Sequence, residues 1–189
     1  MTFSDTLRAA TAYTETLGIT AGTGNVVFAG IVGGGSKELG AVTITSAGNV
    51  TADLAFTAAS LTQTAGAGTT TFTGAVTTTG KAETAGGAVN IAETVGNISF
   101  ATITTNGGTS TGIGRAGGAI TLHSTEGTIA VTGTISTIGI AAATNNVGGA
   151  GGNVTLTTDG TDTITAAAIT TSGGAGYLAG NGGVAGARS

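Results

Sequence analysis

Residues 151–173 read GGNVTLTTDGTDTITAAAITTSG. Val154, Leu156, Ile164 and Ala166 take every second position in two short runs, with Thr155 and Thr165 between them. A period of two sends apolar side chains to one side of a strand and threonines to the other. The polar TDGTDT between the runs reads as a turn, and glycines bound the whole. The same unit occurs twice more. GGAVNI begins at Gly86 and GGAITL at Gly117, followed by GNISF from Gly96 and GTIAV from Gly127. A third short run follows in each unit, as ITT at Ile103, IST at Ile135 and ITT at Ile169, and the units close at Gly107, Gly139 and Gly173. Three strands and three turns fit in a unit of about 22 residues, and repetition at such a period is the mark of a solenoid.

The segments between the units differ: GTSTGIGRA follows Gly107, IAAATNNVGGA follows Gly139 and GAGYLAGNGGVA follows Gly173. Units of constant length with unequal insertions at one position place the insertions on one side of a stack. The first half keeps the period without long insertions, since TAGTGNVVFAGIV from Thr20 matches TAGAGTTTFTGAV from Thr64 over most positions. The expected fold is all-β, a right-handed parallel β-helix with rungs of about 22–24 residues and Gly-rich insertions on one side. Its hand follows from the crossover preference of parallel strands. Seven or eight rungs at about 4.8 Å would make a rod of roughly 35–40 Å. Val, Ile and Ala suit a hollow too narrow for large side chains, Thr suits the outer pleat, and Gly and Asn suit positive-φ corners. A single domain spans 1–189, with compact rungs over 18–85 and rungs bearing insertions over 86–185. Residues 1–17 are either an end cap, a helix begun by Ser4, or a first rung; the echo of TQTAG at Thr62 in TETLG favours the rung.

Composition narrows the function. Glycine supplies 37 of 189 residues, yet proline is absent and 40% of the chain is hydrophobic, so there is a core to bury. Charged residues make up 7%, the net charge is -4, and Arg8, Lys37, Lys81, Arg115 and Arg188 lie far apart. Nucleic-acid binding needs clustered cations, and that class is set aside. Mean hydropathy is +0.39. No uninterrupted apolar run reaches spanning length, and five Phe, two Tyr and no Trp do not furnish the aromatic girdles of a membrane barrel. The absence of cysteine fits both a reducing cytosol and an exported chain. The first residues, MTFSDTLRAATAYTETLG, lack the basic and apolar regions of a signal peptide, so the expectation is a protein that stays inside or a piece of something larger.

GGAITLHSTEGTIAVTGTISTIG and GGNVTLTTDGTDTITAAAITTSGG resemble the repeats of filamentous-haemagglutinin-like bacterial exoproteins, the long β-helical fibres and adhesins of bacterial surfaces. The resemblance spans about residues 18–185. It implies secretion, an extracellular or cell-surface location, and a role as stalk, fibre or adhesin. One feature departs from the family: its N-terminal secretion domain carries an Asn-Pro motif, and this chain has no proline. The resemblance therefore implies an interior segment.

Candidate sites are few. HSTE at His123–Glu126 and the pair Asp159 and Asp162 sit in polar turns where solvated charges are expected, and neither has the spacing of a polysaccharide-cleaving or calcium site. No cofactor, metal or catalytic residue is assigned. Thr-x-Thr pairs at Thr43, Thr102, Thr155 and Thr163 would face outward, as on an ice-binding solenoid, but Asn90, Ala92 and Ser99 interrupt the array. Asn25, Asn49 and Asn97 recur in Gly-Asn pairs and read as a structural turn ladder. Tyr177, in the last insertion, is the candidate contact for a cell-surface glycan or receptor. The expected function is a structural or adhesive solenoid segment without enzymatic activity, whose partner is itself, end to end in a filament. The alternative is a glycan- or receptor-binding module that uses the insertion face.

Overall fold

The computed structural model describes residues 1–143, 145–177 and 180–189. Thirteen strands and no helix make up the described residues: β1 Thr2–Phe3, β2 Leu17–Thr20, β3 Val26–Phe28, β4 Leu39–Ser46, β5 Val50–Ala52, β6 Phe56–Gln63, β7 Thr70–Thr77, β8 Val89–Thr94, β9 Ile98–Thr104, β10 Ile120–Ser124, β11 Ile129–Ser136, β12 Val154–Thr158 and β13 Ile164–Thr170. Every strand pairing is parallel, and they form three stacks. The first runs β1, β3, β5, β7, β9, β11, β13. The second runs β2, β4, β6, β8, β10, β12. The third is a column of single partners, Leu7, Val32, Phe56, Val76, Ile103, Ile135 and Ile169. The result is a parallel stack of three-sided rungs, compatible with a β-helix.

Strand alternation builds the interior. Val26, Val50, Thr70, Ile98 and Ile129 stack in register on the first side and are at most 1% exposed. Val42, Leu61, Val89, Ile120 and Val154 do the same on the second. The expected narrow hollow is not what forms in the lower half. All five phenylalanines lie in one column: Phe3 stacks on Phe28 at 5.1 Å, Phe28 meets Phe56 edge-on at 5.5 Å, Phe56 meets Phe72 at 5.4 Å, and Phe72 stacks on Phe100 at 4.8 Å. Between Phe28 and Phe72 the first stack places Ala52, whose small side chain leaves the space that Phe56 fills from the third side. Above Phe100 the column narrows to Val131 and Ala166.

The rung length is not constant. Along the column Val26, Val50, Thr70, Ile98, Ile129, Ile164 the steps are 24, 20, 28, 31 and 35 residues. The growth lies at one corner, where the chain passes from the third side to the second. At Phe56–Leu61 the corner is crossed inside strand β6 itself, whereas 78–88, 105–119, 137–143 with 145–153, and 171–177 with 180–187 leave the rod there as arms. Residues 1–17 contribute strand β1 and the Leu7 bridge to Val32, so they lie on the rungs rather than in a helix.

Candidate functional site

The arms contain the Gly-rich insertions read in the sequence; what periodicity alone did not reveal is how they pack. Within them backbone donors recur every third residue and reach the next arm: Gly80, Glu83 and Gly86 donate to Asn106, Thr109 and Ala116, Gly139 and Ala142 to Ser172 and Ala175, and Gly148 and Gly151 to Asn181 and Val184, at 2.8–3.0 Å. Such a three-residue period in extended chain resembles polyproline II; the first arm departs from it at its turn, where Thr84 N–H donates to Lys81 O at 3.0 Å and Glu83 takes positive φ. Lateral bonds tie neighbouring segments as well, such as Gly149 N–H to Ile140 O at 2.9 Å and Gly174 N–H to Gly149 O at 2.8 Å. The arms thus form a slab of extended segments bonded in two directions.

This slab corrects the expected role of glycine. Among the described residues positive φ occurs only at Gly22, Gly33, Gly34 and Gly35 and at the non-glycines Tyr13, Ser36, Glu83 and Glu93. No asparagine of the ladder adopts it. The arm glycines are needed for close approach instead. A Cβ on Gly117 would lie 2.1 Å from Thr137 O, on Gly149 2.1 Å from Arg115 O, and on Gly183 1.9 Å from Gly149 O.

Each arm is closed at its neck by one threonine. Thr78, Thr105, Thr137 and Thr171 are buried and donate through Oγ1 to the carbonyls of Gly87, Gly118, Gly152 and Gly186 at 2.7–2.9 Å. The same glycines donate their N–H groups back to the threonine carbonyls at 2.6–2.7 Å. A buried hydroxyl is thereby satisfied, and two bonds fix the distance between entering and leaving chain. The sequence carries the signal as Thr-x-Gly at each exit, from Thr78, Thr105, Thr137 and Thr171.

The asparagines sit at the corner before the first stack. Asn25 Oδ1 accepts from Asn49 N–H at 3.0 Å and Asn49 Nδ2 at 3.1 Å, Asn49 Oδ1 accepts from Thr69 N–H at 2.8 Å, and Asn97 Oδ1 accepts from Thr128 N–H at 2.9 Å. Each amide reaches one rung up; Thr69 takes the ladder position between Asn49 and Asn97, and Thr128 the position after Asn97. The preceding glycines make room: a Cβ on Gly48 would lie 2.9 Å from Asn25 Oδ1, and one on Gly68 2.3 Å from Asn49 Oδ1.

Charged groups are sparse and mostly structural. Glu83, at positive φ on the first arm, accepts from Arg115 Nη2 and from Thr111 N–H, both at 2.5 Å, and from Thr111 Oγ1 at 2.8 Å. The guanidinium, followed by the Thr111 donors, holds its carboxyl at about 2, below the ordinary 4.5. His123 and Asp159, from the two turns singled out in the sequence, meet across one rung at 2.7 Å, Nε2 to Oδ1. Glu126 and Asp162 remain exposed. Ser124, beside His123, turns its hydroxyl inward to Gly96 O at 2.9 Å. Among the described residues no three His, Cys, Asp or Glu side chains group as metal ligands.

Among the described residues, three surfaces bear on a partner. Where β6 carries no arm, a cavity of about 260 Å³ opens beside Tyr13, Ala59, Thr79, Lys81 and Ala85. Tyr13 there has its hydroxyl pKa raised by burial and by the nearby Glu38 carboxylate. At the arm tips Ile113, Val147 and Tyr177 are 50%, 49% and 47% exposed, on arms joined by Gly114 N–H to Val147 O and Tyr177 N–H to Asn146 O. At the end of the stack, β13 exposes inward-facing positions: Ile164 is 41% exposed, where Ile98 and Ile129 below it are fully buried. Comparison with known proteins found no family model, no curated protein and no solved structure that matches this chain.

Proposed function

We propose that this chain is a rod-forming segment of a structural or adhesive fibre, outside the cell or on a bacterial surface, of the filamentous-haemagglutinin-like kind. The rod is right-handed, following the crossover preference of parallel strands, and it works mechanically rather than catalytically. Backbone ladders on three sides run parallel to the rod axis, and the arm slab adds a fourth set of bonds in the same direction. Load along the axis is shared among them.

The observation that carries this reading is the last rung. A strand whose inward Ile164 is 41% exposed, above equivalents buried to 0%, is a ladder surface that accepts a further rung. Negative-stain electron microscopy with sedimentation velocity across a concentration series tests it. Filaments with an axial repeat of about 34 Å, seven rungs at about 4.8 Å, are the expected result. Discrete short particles at every concentration overturn it.

A second reading rests on the arm tips. Tyr177, 47% exposed near Val147, offers a ring face to a sugar. Retention on a glycan array that is lost in Tyr177→Ala would establish it, and no retention on any glycan would remove it.

A further inference from the structure

We propose that two copies of this chain join head to tail in the register of the internal ladders, β13 of one copy pairing with β1 of the next; the inference rests on the fibre reading above and specifies its joint. The register follows from columns that run unbroken through the molecule. Thr2 pairs with Val27, and that column continues through Thr51, Thr71, Ser99 and Ala130 to Thr165. Leu7 heads the column that ends at Ile169. One further rung on β13 therefore sets Thr2 beside Thr165, Phe3 beside Ala166 and Leu7 beside Ile169.

Side-chain sizes match at this joint. Ala166 closes the inner column with a small side chain, and Phe3, half-buried at the other end, would rest on it. The molecule already uses that succession, since Phe72 follows Ala52 in the same column. Leu7 and Ile169 are both half-buried apolar residues packed against the core from opposite ends, and stacking them covers each. The backbone matches too. Leu7 N–H donates to Ile31 O, and Gly33 N–H donates back to Leu7 O. Ile169 and Arg8 of the next copy repeat that exchange, with Ile169 N–H donating to Thr6 O and Arg8 N–H to Ile169 O.

The edge also lacks the usual protection. Natural edge strands are blunted by charges, proline or a covering element. β13 reads ITAAAIT, seven residues with no charge and no proline, and β1 is likewise uncharged. A long neutral edge with apolar residues facing its open side is a pairing surface.

The chain has no cysteine, so a disulfide reports only an introduced pair. Thr2 and Thr165 are exposed. Neighbouring strands lie about 4.8 Å apart, within the Cα range of about 4.4–6.8 Å that a disulfide spans. Oxidation of the Thr2→Cys/Thr165→Cys variant should give a ladder of covalent multimers that collapses on reduction. Thr2→Cys/Ala167→Cys, displaced by two residues, should not. Thr6→Cys/Ala168→Cys tests the same register on the third side if the first pair fails to fold. Filaments without in-register cross-links, or with equal cross-linking of the displaced pair, overturn the joint and leave the fibre reading standing. If the unmodified chain forms no filament, the fibre reading fails and takes the joint with it.

Discussion

Substitution of Gly152 by alanine tests the arm slab at a point of close backbone approach. The added Cβ would lie 2.1 Å from Gly118 O and 2.6 Å from Gly118 C, both backbone atoms with no rotamer to change. Relief to a tolerated contact needs Gly118 O itself to move by at least about 0.9 Å, away from Gly152 and from its own neck threonine. Gly118 O also accepts the Thr105 hydroxyl at 2.7 Å. A shift of that size takes the bond to about 3.6 Å, outside hydrogen-bonding range. The orphaned buried hydroxyl costs about 1–3 kcal/mol and the overpacking about 1–3 kcal/mol, so a loss of about 2–6 kcal/mol is expected. For a chain of this size that lowers Tm by about 4–24 °C. The control is Gly18→Ala in β2, where an added Cβ meets nothing within 4 Å; there the reduced freedom of the unfolded chain gives about 0.4–1 kcal/mol of stabilisation. Thermal unfolding followed by circular dichroism reads both. A Tm for Gly152→Ala within about 2 °C of the parent, with the β spectrum intact, would refute the account of the arms as backbone packed on backbone.

Other consequences follow from single contacts. Asn49→Ala removes the amide that bonds both Asn25 and Thr69, and denaturant titration should show a loss of about 1–2 kcal/mol; an unchanged midpoint would mean that water replaces the ladder at no cost. Phe72→Ala empties the column between Phe56 and Phe100 and should cost about 3–5 kcal/mol, again by titration, whereas a loss below about 1 kcal/mol would mean that the column collapses freely. Glu83, held at about 2 when folded against an ordinary 4.5, contributes stability above about 4.5 that is lost as pH falls towards 2. Glu83→Gln should therefore flatten the Tm profile in that window, and an unchanged slope would show that the Arg115 contact does not persist in solution.

The strands were legible because burial on one side imposes alternation. Ile120-Thr121-Leu122 and Val154-Thr155-Leu156 fall in register with one another, as their matching Gly-Gly starts implied. The phenylalanine column was not legible, because Phe56 reaches it from a different side of the rung than Phe28 and Phe72. No local period connects them. The reason for glycine was also hidden: a composition identifies flexible residues, whereas the arms use glycine for the carbonyl that approaches it from another rung. Likewise His123 and Asp159 are 36 residues apart and meet only because the rungs stack. The Thr-x-Gly exits were in plain view at Thr105 and Thr137, but their function depends on a Gly carbonyl 13 or 15 residues later.

Apart from the Glu83 contacts to Ser110, Thr111 and Arg115, the contacts between neighbouring arms described above run through carbonyls, amides and α-carbons. At the tips Ile113, Val147 and Tyr177 turn their side chains outward while backbone bonds such as Tyr177 N–H to Asn146 O hold the arms in place. Stability and surface chemistry are therefore separate variables in this part of the molecule. Arm length also varies from rung to rung, with the threonine clamp marking where the rod ends and the addition begins. A scaffold of this kind can diversify what it presents to its surroundings while the fold beneath it stays the same.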